Sequence, residues 1–73
     1  GDSTIEQRLE LIDRRKEAVL KQIEQLKQTL DTLNYKHWYY ETAKEARTCD
    51  VHKNLKDEDI PEEILAIRER LRN

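Results

Sequence analysis

The stretch IEQRLELIDRRKEAVLKQIEQLKQTLDTLNYKHWYY, residues 5–40, decides how this chain folds. Taken every 3.5 residues it gives Ile5, Leu9, Ile12, Lys16, Val19, Ile23, Leu26, Leu30, Leu33, His37 and Tyr40. The spacing alternates four and three without a break, and only Lys16 and His37 depart from apolar character. A seven-residue period of this length makes a seam that is buried only against another helix. The first expectation is therefore a partner, and the simplest partner is a second copy of the chain.

Residues around the seam favour a helix. No Gly or Pro lies between Thr4 and Glu45, and Glu, Lys, Gln, Arg and Leu dominate. Glu10–Arg14 and Glu17–Lys21 place the acid four residues before the base, the better order on a helix. Ser3 or Thr4 is suited to cap the start, with Glu6 or Gln7 completing a capping box. The spacing predicts a dimerisation helix over 4–47, a rod of roughly 60 Å at 1.5 Å per residue. Residues 1–3 read as a cloning remnant or a disordered lead.

Bulk composition agrees. The chain has 73 residues, 41% of them charged and 36% hydrophobic, with no Phe or Met. A monomer so small and polar buries little apolar surface to offset its ordering entropy. No apolar run approaches the roughly 20 residues that cross a bilayer, so no membrane partner is expected. A lone Cys excludes an internal disulfide framework and fits a reducing, cytoplasmic compartment. Charges of both signs are interspersed: 6 basic and 7 acidic groups in residues 1–33, 4 and 3 in 34–54, 4 and 6 in 55–73. Backbone neutralisation of nucleic acid needs a basic field, which is lacking here, so any DNA-reading part lies outside these residues.

Beyond the rod, Ala46-Arg47-Thr48-Cys49-Asp50 marks a break, and a loop is predicted over 48–59. Asp59-Ile60-Pro61-Glu62-Glu63 has the signature of a helix start: Asp59 or Ile60 near the cap, Pro61 in the first turn, acids at the positive end of the dipole. A short C-terminal helix over 60–73 follows, with Ile60, Ile64, Ile67 and Leu71 on one face and Leu65 beside it. Three turns are not stable alone, so that face is expected to pack back on the end of the rod.

Chemistry-bearing features are few. All four aromatic residues, Tyr35, Trp38, Tyr39 and Tyr40, fall within six positions and surround the helix. They suit half-buried sites. One reading is a sub-core joining the rod, the second helix and a partner; the other, compatible with it, is a candidate effector pocket walled by rings. Cys49 and His52 form a Cys-x-x-His pair, two ligands where zinc needs three or four, so no metal site is assigned. His37 and Lys16 read as polar seam residues that fix register at a cost in stability. There is no nucleophile–base arrangement and no Gly-rich phosphate loop, so neither an enzyme nor a cofactor is expected.

The long amphipathic helix ending in Leu30-Asp31-Thr32-Leu33-Asn34-Tyr35-Lys36-His37-Trp38-Tyr39-Tyr40-Glu41-Thr42-Ala43, followed by Asp50-Val51-His52, resembles the C-terminal part of MerR-family bacterial transcription regulators. The likeness spans roughly Ile5 to Lys53. It implies an all-α fold: a long helix in an antiparallel coiled-coil homodimer, then a loop and a short helix. In that family a winged helix-turn-helix, absent from these 73 residues, grips promoter DNA and remodels it for RNA polymerase. The tail beyond the long helix contacts the effector, commonly a small molecule. The resemblance makes Leu9, Ile12, Val19, Ile23, Leu26, Leu30 and Leu33 seam residues and sets the aromatic cluster at the rod's end. Family members often place Gly where the long helix stops; Arg47 stands near that point here. Metal-sensing members use a cysteine pair, and this chain has Cys49 alone. Antiparallel pairing also covers Leu11 and Leu20, which a parallel pair leaves bare. The competing expectations are a plain scaffold or adaptor coiled coil, and a regulatory fragment that binds another protein's helix.

Overall fold

The computed structural model describes the backbone of residues 2–72 and the side chains of residues 4–72. Helix α1 runs Asp2–Ala46 and helix α2 Glu62–Arg72. Between them lie two 3₁₀ turns, Cys49–Lys53 and Asp57–Asp59. No strand occurs among the described residues. The chain is all-helical and extended, measuring 68 × 20 × 14 Å. Its radius of gyration is 20.6 Å, nearly twice the roughly 11 Å of a compact chain of this length.

Helix α1 already includes Asp2 and Ser3, so it begins ahead of both residues expected to cap it. Gly1 lies outside the described residues. Along its exposed face Arg14 reaches back to Glu10 at 3.5 Å. Thr29 and Thr32 direct their hydroxyls to the carbonyls of Gln25 and Gln28, which spares them a competing turn.

Ending the helix takes one unusual residue. Arg47 has φ of 60°, in the left-handed region. The Thr48 N–H donates to the Ala43 carbonyl (3.0 Å) and the Arg47 N–H to the Lys44 carbonyl (3.2 Å). This double closure is a Schellman cap, whose reversing residue is ordinarily Gly. Thr48 then caps the first 3₁₀ turn, its hydroxyl accepting from the Asp50 N–H at 3.1 Å. The chain so doubles back along the end of α1.

The second 3₁₀ turn is closed by the Asp59 carboxylate, which accepts from the Lys56 N–H at 3.3 Å. Helix α2 starts at Glu62, two residues later than the expected start at Ile60. The Pro61 carbonyl accepts from the N–H groups of Ile64 and Leu65, which puts Pro61 at the cap rather than inside the helix. The position suits a residue without an N–H to offer. Asn73 lies outside the described residues.

Helix α2 packs against the last third of α1. Ala43, Ile64 and Ile67 are the buried apolar residues, and Trp38, Tyr39, Val51, His52, Leu55, Ile60 and Leu65 surround them half-buried. The far end of α2 is held by Arg70, whose Nε and an Nη reach the two carboxylate oxygens of Asp31 at 2.8 Å each. Arg68 pairs with Asp57 at 3.0 Å and ties α2 to the second turn. Leu71, expected on the packed face, is instead 44% exposed. It lies one residue past the Asp31–Arg70 clamp, beside Gln28 of α1.

Candidate functional site: the aromatic end and the bare stripe

Two surfaces of α1 matter, and they lie on different sides of it. The first is the aromatic end. The Schellman turn returns the first 3₁₀ turn over Trp38 and Tyr39 and inserts His52 between them. His52 stacks on Tyr39, with ring centroids 3.8 Å apart and an interplanar angle of 8°. It meets Trp38 edge-on at 5.4 Å and 72°. Tyr35 leans on Trp38 at 5.8 Å. The His52 Nδ1 donates to the Cys49 carbonyl at 3.1 Å. The His52 Nε2 is buried without a protein hydrogen-bond partner.

Burial, then the neighbouring Cys49 thiol, push the Tyr39 hydroxyl above its usual value. Tyr39 is therefore a neutral phenol, an apolar wall with a polar tip. The Trp38 carbonyl accepts from Thr42 at 2.8 Å, which leaves its helical bond intact.

Of the four rings expected to gather, the structure brings together Tyr35, Trp38 and Tyr39. Tyr40 touches Tyr39 edge-on at 5.2 Å but turns to the opposite side of the helix, where it is exposed. There it lines an open groove with Leu33, Lys36, His37, Glu41 and Lys44. His52 is the residue that sequence reasoning left out of the aromatic group. A reversal after Ala46 is the signal that brings it back, and Arg47 disguised that reversal because it is not Gly.

The second surface is the heptad stripe. Ile5, Leu9, Ile12, Val19, Ile23, Leu26, Leu30 and Leu33 are between 43% and 67% exposed on the single chain. Lys16 and His37 are exposed with them. His37 has a carboxylate within reach: its Nδ1 lies 3.2 Å from Glu41, one turn on. Helix α2 packs on the side of Asp31 and Trp38, so it leaves the stripe open along its whole length.

Among the described residues no cluster of three or more His, Cys, Asp or Glu is placed to hold a metal. No helix is long and apolar enough to cross a membrane. Comparison with protein-family models, curated proteins and solved structures finds no match to this chain.

Proposed function

We propose that these residues are the dimerisation and effector-coupling region of a MerR-like transcription regulator of the bacterial cytoplasm. The DNA-binding winged helix-turn-helix would belong to the rest of the parent protein. Two copies of α1 lie antiparallel and share the stripe. The aromatic end of each copy, clasped by the segment Thr48–Asp59, then sits beside the start of the other copy's α1. A small molecule that displaces His52 from Tyr39 would loosen that clasp and be felt at the partner's helix start.

One observation carries this reading. The large apolar residues of a five-heptad seam stand in solvent, while the small core lies on another side of the same helix. Burying eight such residues contributes about 1.5–3 kcal/mol each, which offsets much of the ordering entropy. A plain coiled-coil scaffold is the second reading, favoured by one feature: His52 already fills the space between Trp38 and Tyr39.

Sedimentation equilibrium tests the pairing: a dimer is expected at micromolar concentration, and a monomer there defeats the proposal. The parent reading frame upstream of Thr4 tests the class. A helix-turn-helix there is expected; a frame without one leaves the scaffold.

A further inference from the structure

The flank of the seam beside α2 repeats every seven residues as Asp13, Leu20, Lys27 and Asn34. Helix α2 stops level with Gln28, where Arg70 and Leu71 lie against α1. It reaches the Asn34 end of that flank and leaves Asp13, Leu20 and Lys27 exposed. Leu20 is 62% exposed, and no other part of its own chain comes over it. Leu20 is contiguous with Ile12, Lys16 and Val19 of the stripe, so it widens the apolar surface that a partner on the stripe would bury.

We infer that a second copy supplies this cover in one specific register, with the two-fold axis level with Lys21 and each Leu20 packed on the partner's Leu20. This rests on the antiparallel pairing proposed above and goes beyond it by fixing the alignment. In an antiparallel pair this flank faces its own counterpart. Centring the axis at Lys21 sets Asp13 against the partner's Lys27, and Lys27 against the partner's Asp13, on either side of the Leu20 contact. In the seam, Leu9 meets the partner's Leu33, Ile12 the partner's Leu30, and Val19 the partner's Ile23. Lys16 lies opposite the partner's Leu26, so its stem packs and its ammonium reaches water. The opposite flank contributes Gln22 against the partner's Gln22, and Arg15 against the partner's Thr29. It also carries one unfavourable contact, Arg8 near the partner's Lys36.

The alternatives fit less well. Sliding one heptad toward the C-terminus sets Leu20 against the partner's Lys27, Arg15 against the partner's Lys36, and Glu6 against the partner's Glu41. Sliding the other way sets each Leu20 against the partner's Asp13, so the two Leu20 side chains no longer cover each other. A parallel pair stacks Lys16 on the partner's Lys16 inside the seam and sends each Leu20 to the partner's Arg15, on opposite sides of the pair. By symmetry, the two α2 helices of the chosen register lie on the same broad face at opposite ends. Their Leu71 tips point toward the central Leu20 contact.

Short-span thiol cross-linking tests the register. Leu20→Cys in a Cys49→Ser background should cross-link to its own copy, because the two Leu20 positions sit only ~3 Å apart along the rod axis. In the register one heptad on they are ~13 Å apart, and in a parallel pair they face away from each other. A dimer by sedimentation that fails to cross-link at Leu20→Cys overturns the register and leaves the pairing intact; a monomer overturns both. An independent arm reverses charges. Asp13→Lys or Lys27→Asp alone should raise the dimer dissociation constant roughly five- to tenfold, and the double reversal should restore most of it. In a parallel pair, by contrast, Asp13→Lys faces the partner's Arg8 and the double variant stays weak. Failure of the double variant to recover overturns the inference.

Discussion

Arg47 holds a left-handed backbone that costs a residue with a Cβ about 1–2 kcal/mol relative to Gly. Its N–H and that of Thr48 are committed to the Schellman closure, so the strain is tolerated rather than relieved. Replacing Arg47 with Gly should raise stability by about 1 kcal/mol in a thermal melt at fixed concentration. The Asp31–Arg70 pair gives a second prediction. The Arg70 guanidinium, through its two hydrogen bonds and its charge, lowers the Asp31 carboxyl below its ordinary value, against a smaller opposing effect of desolvation. A depressed carboxylate adds stability that is complete above the unfolded-state pKa and is lost as pH falls through the folded-state value. The protection of α2 amides, taken relative to their intrinsic exchange rates, should therefore fall from about pH 4 downward. In Asp31→Asn it should be lower at neutral pH and lack most of that acid step.

The two helices respond differently to truncation, because one has its cover within the chain and the other does not. Ile67 is 6% exposed and sits in the small core. Ile67→Ala should cost about 2–4 kcal/mol of α2 docking and expose Trp38, read by its fluorescence. Leu26 and Leu30 are 67% and 56% exposed on the single chain. On a lone rod Leu26→Ala or Leu30→Ala would cost under about 0.5 kcal/mol. In a shared seam each should cost roughly 2–5 kcal/mol per buried site. Chemical denaturation of either variant separates the two cases by a margin well beyond measurement error.

For the molecule as a whole, the proposed pairing makes folding and dimerisation one event. Three buried apolar residues cannot hold a 45-residue helix in place. In the proposed dimer the shared seam contributes most of the stability, so the melting temperature should rise with protein concentration. A tenfold dilution that leaves the midpoint unmoved would mean that the rod stands alone. Under the proposed effector coupling, a change at the clasp around His52 would meet no break in α1 before it reached a partner.

Local rules settled much of this from the residues alone. Heptad spacing and the lack of Gly and Pro made α1 a long helix, and the apolar spacing of Ile60, Ile64 and Ile67 made α2 a short one that returns to the rod. Both depend on neighbours within a turn or two, which is the range that propensity and periodicity encode. Three features depended on chain reversal and were decided only in space: the left-handed Arg47, His52 stacked on Tyr39, and Asp31 clamped by Arg70 across 39 positions. The last two have no local signature, because each contact joins segments whose separation closes only after the chain has turned; Arg47 closes a local cap but lacks the Gly that would have signalled it. The division of the aromatic run is of the same kind. Sequence placed four rings at one end; the direction from which the returning segment arrives determined that Trp38 and Tyr39 face His52, that Tyr35 leans on Trp38, and that Tyr40 stays with the stripe.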